Sequence, residues 1–328
     1  MTPTDVVSGF GRLIGLDAIR AVVTRADALS VVTEVLRKLA LGEVDAPPGL
    51  GLLTADGEIH VKGAGITGSK YATFKVATTF PGNPALGLPL NDGFSVALDA
   101  RTGAISAILA DNGRLTELRT GAAGALAAKL LAREDASVAA VLGAGSQARF
   151  QIRALAEVRD LERLHVWARR PEQAQEYAAE MSGMLGIDVR VAGTVREAVE
   201  AADILVTTTA SREPLVRAEW LRPGTHVTAM GSDFPYKREL DVDVLARADV
   251  IVADSVADCA EVGEIHHGIG TGAIRREAVV ELSAVLAGTA EGRTGPKQIT
   301  IADQCGLGAY DAAMAEFVLT RLELKTAT

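Results

Sequence analysis

The sequence predicts an α/β fold: a doubly wound parallel sheet with a separate α+β domain. Three observations lead there. Residues 138–148, Val-Ala-Ala-Val-Leu-Gly-Ala-Gly-Ser-Gln-Ala, run from an apolar strand through a G-x-G-x-x-A turn into a helix. Short, mostly β-branched runs follow at 164–168, 204–209, 226–230, 250–253 and 299–302, separated by helical stretches, the alternation that builds a parallel sheet. Residues 51–110 instead carry several β-type runs with hairpin spacing.

The first element is a helix over Asp27–Leu41, with Leu29, Val32, Val35, Leu36 and Leu39 on one stripe and Gly42 as a stop. A Pro/Gly loop over Asp45–Leu50 follows. Next come β-type runs at Gly57–Lys62, Thr73–Thr79 and Phe94–Asp99, the last turning through residues 100–103 into Ala104–Leu109. Leu118–Ala132 is an alanine-rich helix, and the domain switch is expected within it, near Gly121. The strand Ala136–Leu142 is almost wholly apolar, as a strand covered on both faces must be. Gly143 permits the tight turn after it, Ala144 fills the turn, and Gly145 lets the backbone approach a phosphate. The helix beginning near Ser146 and Gln147 packs closely through Ala148 and offers unpaired N–H groups to an anion. This is a Rossmann-type dinucleotide cradle. The last helix, from about Gly308, sets Tyr310, Met314, Phe317, Val318 and Leu322 on one face, to pack back on the first domain. The expected boundaries are 1–120 with 309–328 for the α+β domain and 121–308 for the Rossmann domain.

With 328 residues, 48% hydrophobic and 23% charged, the chain can bury the cores of two domains. A net charge of -9 disfavours nucleic-acid and anionic-membrane binding. No apolar run approaches the ~18 residues of a membrane span, and Met1-Thr-Pro-Thr has no leader character, so a cytoplasmic location is expected. Cys259 and Cys305 form no metal-type spacing and are read as reduced.

Chemistry on a nicotinamide needs a carboxylate anchor, a proton donor or acceptor, and a dry pocket. Four segments offer candidates. Alternation turns Lys75 to one face and Phe74 and Val76 to the other, and by pattern alone Lys75 reads as a solvent-facing lysine on an edge strand. Arg119 fits either a bidentate carboxylate grip or a solvated helix end. Asp233, in Gly231-Ser-Asp-Phe-Pro-Tyr-Lys237, follows a strand end, where ligands of open α/β sheets bind; it suits acid–base work or an Asx turn. Asp303-Gln304-Cys305-Gly306 is another strand-end loop, in which Cys305 is a packing residue or a substrate-facing wall, without a histidine to activate it. Glu261, Glu264, His266 and His267 read as a surface helix with a His pair rather than a metal site.

Together these segments resemble the ornithine cyclodeaminase/mu-crystallin family over about residues 60–320. The resemblance is carried by Phe74-Lys75…Pro81-Gly-Asn83, Leu115-Thr-Glu-Leu-Arg119-Thr-Gly-Ala-Ala, Gly143–Ala148, Met230-Gly-Ser-Asp233-Phe-Pro-Tyr-Lys237 and Asp254-Ser…Glu261-Val-Gly-Glu264. Within the family, Gly57–Lys62 and Asp92-Gly93…Asp111-Asn-Gly113 look most similar to the branch found with ectoine-utilisation enzymes. The resemblance implies a homodimer associating through its α+β substrate-binding and dimerisation domains. It implies that Lys75 and Arg119 hold a substrate carboxylate, that Asp233 is the acid/base, and that Lys237 lies near the cofactor. Thr208, Thr209 and Met230 would border the dinucleotide, and Gln304 and Cys305 the nicotinamide and substrate.

Two departures bear on the substrate. Cyclodeaminases of the family place an arginine in the proline loop, whereas this chain has none between Arg37 and Arg101. They also carry a glutamate for the distal amine of ornithine, where this chain has His60, with Lys62 two residues on. A second carboxylate or a neutral side chain is therefore expected in place of a second ammonium. The second strand ends at Arg169-Arg170 without an acid, which points to NADP(H) ahead of NAD(H). The function expected is an NAD(P)-dependent reductase of an imino acid. A cyclodeaminase with catalytic NAD is the alternative, and a non-enzymatic NADP-dependent binder of a small ligand the third reading.

Overall fold

A computed structural model describes residues 11–326. The chain divides into two compact units, residues 1–119 with 307–328 and residues 120–306.

The first unit is built on a mixed sheet. Its strands are β1 (Arg12–Gly15), β2 (Val44–Asp45), β3 (Leu50–Leu53), β4 (Glu58–Ile66), β5 (Tyr71–Thr79), β6 (Asn91–Asp99) and β7 (Ile105–Ala110), in the order β1-β7-β6-β5-β4-β2 with β3 also on β4. Among the described residues of this sheet, only the β1–β7 pair is parallel. Side chains alternate across the sheet, so Thr73 and Lys75 go to one face and Phe74 to the other. Helix Gly308–Thr326 packs on the first of these faces, and helix Arg25–Ala40 packs against that helix and β2. Thr24 starts the second of these helices with a reciprocal capping box to Asp27, which satisfies two N–H groups the first turn would otherwise leave bare. At Gly308 a Cβ would run into the Gly63 backbone. Glycine at 308 therefore lets the helix begin against β4, which brings Asp311, one turn on, over the sheet. The opposite face stays largely bare, with Leu13, Phe74 and Phe94 exposed by 57%, 49% and 40%.

The second unit is an eight-stranded, wholly parallel sheet: β8 (Val138–Leu142), β9 (Arg163–Trp167), β10 (Asp188–Val191), β11 (Ile204–Thr207), β12 (His226–Ala229), β13 (Val250–Ala253), β14 (Val279–Glu281) and β15 (Thr300–Asp303). Their order is β10-β9-β8-β11-β12-β15-β13-β14. Successive residues of β8 enter different cores. Ala139 and Val141 join Leu164, Val166, Ile204 and Val206, while Ala140 and Leu142 join Leu205, Val227 and Ile251. Two buried faces explain why these strands read as continuous apolar runs. The α/β expectation is borne out. Edge strands β10 and β14 fall outside the expected set. Asp188-Val-Arg-Val is largely exposed, so it has no apolar run to betray it. The run expected at 204–209 ends at Thr207, because Thr208 and Thr209 leave the ladder. Among the described residues, no helix is long and apolar enough to cross a membrane.

Candidate functional site

In the first unit, the side chains of Lys75 and Arg119 are buried, in contrast to the solvent-facing reading of Lys75 from strand pattern. The helix Gly308–Thr326 makes the difference, because it covers the sheet face that Lys75 points to. Asp311 on that helix joins the two cations: Lys75 Nζ lies 3.2 Å from Asp311 Oδ2, and Arg119 Nε donates to Oδ1 at 3.0 Å. The three side chains are only 5%, 6% and 3% exposed. Burial opposes both charges of such a pair. For Lys75 it wins, and the ammonium is pushed down to about 8, against the pull of Asp311 and with help from Arg119 and Lys62. For Asp311 the neighbouring Arg119, Lys75 and Lys62 outweigh burial, and its carboxyl stays below the usual range.

Asp311 engages Arg119 through Nε, the nitrogen nearest the stem, and so leaves the terminal nitrogens of the guanidinium to a ligand. Asp111, at the end of β7, is also buried, and its carboxyl is pushed up to about 6 by desolvation while it accepts from Leu115 N at 2.6 Å. Lys62 on β4 stands directly opposite Lys75, and His60 lies two residues back on the same side of the strand.

In the second unit, the turn after β8 has the geometry its glycines require. Gly143 has φ +112, and a Cβ there would come within 2.6 Å of Thr208 Oγ1. Thr208 closes against β8 by donating to Leu142 O from N at 2.9 Å and from Oγ1 at 3.0 Å. Gly145 precedes the helix Ser146–Leu155 without a side-chain cap, and a Cβ at Gly145 would meet nothing within 4 Å. Open space in front of uncapped N–H groups is what a phosphate needs. Arg149 Nη1 ties the loop by donating to Ala144 O at 2.6 Å. Two amide oxygens, Gln147 Oε1 and Gln304 Oε1, are buried without a hydrogen-bond partner. These residues fit a dinucleotide.

The loops beyond β11, β12 and β15 are tied together by buried acids, of which Glu239 was not singled out in the sequence. Glu239 accepts from Thr209 N at 2.6 Å and Gly231 N at 2.9 Å, bridging two strand ends. Glu264 in turn accepts from Glu239 N and Leu240 N at 2.7 and 3.0 Å. Burial raises the carboxyls of Glu239 and Glu264, and that of Asp303 to about 7. Glu264 is fully buried, so the surface-helix reading of residues 261–267 was wrong: Gly263 breaks that segment into helices Val256–Val262 and Glu264–Gly270, and the second turns its first residue inward. Asp254 accepts from Cys305 N at 3.2 Å and Gly306 N at 2.7 Å. Cys305 lies with Cys259 in this cluster, its Sγ 3.8 Å from Ser232 O. Asp233 is partly exposed and pairs with buried Lys237, Nζ to Oδ1 at 2.6 Å. Met230 N donates to Thr207 O, and Gln304 N to Ala229 O.

A family model described as the ornithine cyclodeaminase/mu-crystallin family matches residues 17–326. The chain belongs to that family. Among solved structures, the chain is similar to the Δ1-pyrroline-2-carboxylate reductase of Thermococcus litoralis in complex with NADH and L-proline, at TM-score 0.90 and 31% identity, covering 95% of this chain and 98% of that one. It is equally similar to an archaeal alanine dehydrogenase dimer with bound NAD, at TM-score 0.90 and 35% identity, with 96% of each chain covered. The iminosuccinate reductase of Paracoccus denitrificans in complex with NAD+ follows at TM-score 0.87 and 32% identity, covering 96% and 97%.

All three of these family members hold NAD(H), which overturns the expectation of NADP(H) drawn from Arg169 and Arg170. Both side chains are exposed, and Arg170 is turned onto its own helix, where Nε donates to Gln173 Oε1 at 2.9 Å.

Proposed function

We propose that the protein is an NAD-dependent reductase of a 2-imino acid, equivalently an amino-acid dehydrogenase working in reverse. That it is an oxidoreductase rests on its likeness to the pyrroline-carboxylate reductase, alanine dehydrogenase and iminosuccinate reductase described above. The observation that carries the finer reading is the buried Lys75–Asp311–Arg119 constellation, two cations sharing one acid, which retains positive charge for a substrate carboxylate.

When bound, NADH supplies the hydride for the imine carbon. Gly143, Ala144, Gly145, Ser146 and Gln147 receive the pyrophosphate, and Thr208, Thr209, Met230 and Gln304 border the rest of the dinucleotide. Lys75 and Arg119 hold the carboxylate, Arg119 through its terminal nitrogens. Asp233 exchanges the proton at the substrate nitrogen, and the Lys237 ammonium beside it fixes its carboxylate. The first unit is then the substrate-binding and dimerisation domain and the second the dinucleotide domain. The bare sheet face with Leu13, Phe74 and Phe94 is the surface through which two copies would pair.

The test is NADH consumption against a panel of 2-oxo acids with ammonium or methylamine, together with preformed cyclic imines. The likeness of Gly57–Lys62 to the ectoine-utilisation branch adds imines derived from ectoine breakdown to that panel. Stoichiometric NADH oxidation with at least one imine is expected. Release of ammonia from ornithine or lysine with catalytic NAD and no net oxidation would make the protein a cyclodeaminase. Binding without turnover, unchanged in Asp233→Asn, would make it a non-enzymatic binder.

A further inference from the structure

We propose that Arg149 is a positioning residue of the second unit: backed by Glu180 and Tyr177, it holds the Ala144 and Gly145 carbonyls so that the amides following them stay turned to a pyrophosphate. This rests on the dinucleotide reading of the turn and names what gives that turn its shape.

The turn needs an outside restraint. Gly143 and Gly145 give it room for a phosphate, and the same lack of side chains leaves its backbone free to take other conformations. Arg149 stands one turn into the helix Ser146–Leu155 and reaches back to the loop. Its Nη1 donates to Ala144 O at 2.6 Å and to Gly145 O at 3.1 Å. A peptide unit is planar and trans, so its C=O and N–H point in opposite directions. Two carbonyls held on one guanidinium therefore turn the amides of Gly145 and Ser146 away from it. These amides stand at the start of the helix, where an anion binds.

The guanidinium is itself fixed on its other sides. Nε donates to Glu180 Oε2 at 2.8 Å, and the guanidinium carbon lies 5.2 Å from the centre of the Tyr177 ring. Both partners stand on the helix Pro171–Leu185, at a spacing that puts them on one face. Tyr177 is fully buried, and its hydroxyl donates to Ala148 O, the residue before Arg149, at 3.0 Å. The Arg149 side chain is only 28% exposed. Because Glu180 offsets its charge, Arg149 acts on a phosphate chiefly through the amides it aims. That order is in place before a ligand arrives, which spares binding the cost of fixing the turn.

The experiment measures NADH affinity by fluorescence, and the affinities of ADP and adenosine by displacement of NADH. In Arg149→Met, which keeps the alkyl stem and removes the donors, NADH and ADP should each bind about 20-fold more weakly, while adenosine, which has no phosphate, changes by less than about twofold. Arg149→Lys keeps a donor without the fork and should lose about fivefold. Glu180→Ala should weaken ADP about threefold by itself and add nothing in the Arg149→Met background, as a partner acting through Arg149 must. Glu180 is 41% exposed, so if Arg149→Met does not fold, the loss of ADP relative to adenosine in Glu180→Ala carries the test. Equal losses for ADP and adenosine, or an unchanged ADP affinity, would overturn the positioning role. No NADH binding by the wild-type protein would instead overturn the dinucleotide reading beneath it.

Discussion

The two units bury charge in opposite ways. In the first, Lys75, Arg119 and Asp311 answer one another through side chains, and the one acid of the three stays ionised. In the second, Glu239 and Glu264 are buried among backbone N–H groups and other acids, and burial raises their carboxyls. Under the proposed function, two buried cations that share Asp311, with Asp111 beside them, meet an anionic ligand. A set of buried acids that accept from loop amides is prepared to hold loops still. Under the proposed function the first arrangement binds substrate and the second holds loops in position.

The largest expected effect separates the two kinds of burial. Asp311→Asn leaves two buried cations without their acid and should cost about 3–5 kcal/mol of stability. Glu264→Gln keeps an acceptor oxygen for Glu239 N or Leu240 N and should cost about 1–3 kcal/mol. Chemical denaturation of both variants checks this, and equal losses would erase the distinction. Next comes the cradle. Gly145→Asp meets no steric obstacle in the protein but sets a carboxylate where the phosphate would lie, and NADH affinity should drop by about 100-fold with the melting temperature little changed. Titration of NADH fluorescence measures it.

A third expectation concerns pH. Under the proposed function Lys75 binds a carboxylate in its charged form, and its pKa is pushed down to about 8. The profile of kcat/KM should therefore fall about tenfold per pH unit above that value. In Asp311→Asn the limb should move to lower pH, since Asp311 is what raises the Lys75 pKa against burial. A limb that stays in place would remove Asp311 from its positioning role. The smallest effect is at Asp303. Its carboxyl is raised to about 7, so it binds its proton more tightly folded than unfolded. The stability it contributes is complete below the unfolded value of about 4 and is lost as pH rises through 7. Asp303→Asn should thus gain in melting temperature relative to wild type at about pH 8 compared with about pH 5, where both side chains are neutral.

Much of the second unit could be read locally. Its central strands are apolar runs because both faces are covered, and the turn after β8 takes, at Gly143, a positive φ that favours glycine. What was hidden depended on partners remote in sequence. Asp311 sits in an alanine-rich helix 192 residues from Arg119, and nothing near it marks it as an ion partner. Lys75 has the alternation of a surface lysine, and only the helix packed over it makes it buried. Glu239 accepts from the amides of Thr209 and Gly231, on two different strand-end loops, and no local spacing marks it for that. Arg169 and Arg170 misled for the converse reason: a charged pair at the right strand end is visible in sequence, whereas the hydrogen bond from Arg170 to Gln173 is not.

The central claim is that hydride is spent on the substrate and not returned. NADH deuterated at the transferable position, mixed with a 2-oxo acid and ammonium, tests it by mass spectrometry of the amino acid formed. One deuterium on the α-carbon for each NADH oxidised is the result expected. An amino or cyclic imino acid formed without deuterium, with the cofactor pool unchanged at the end, would contradict it.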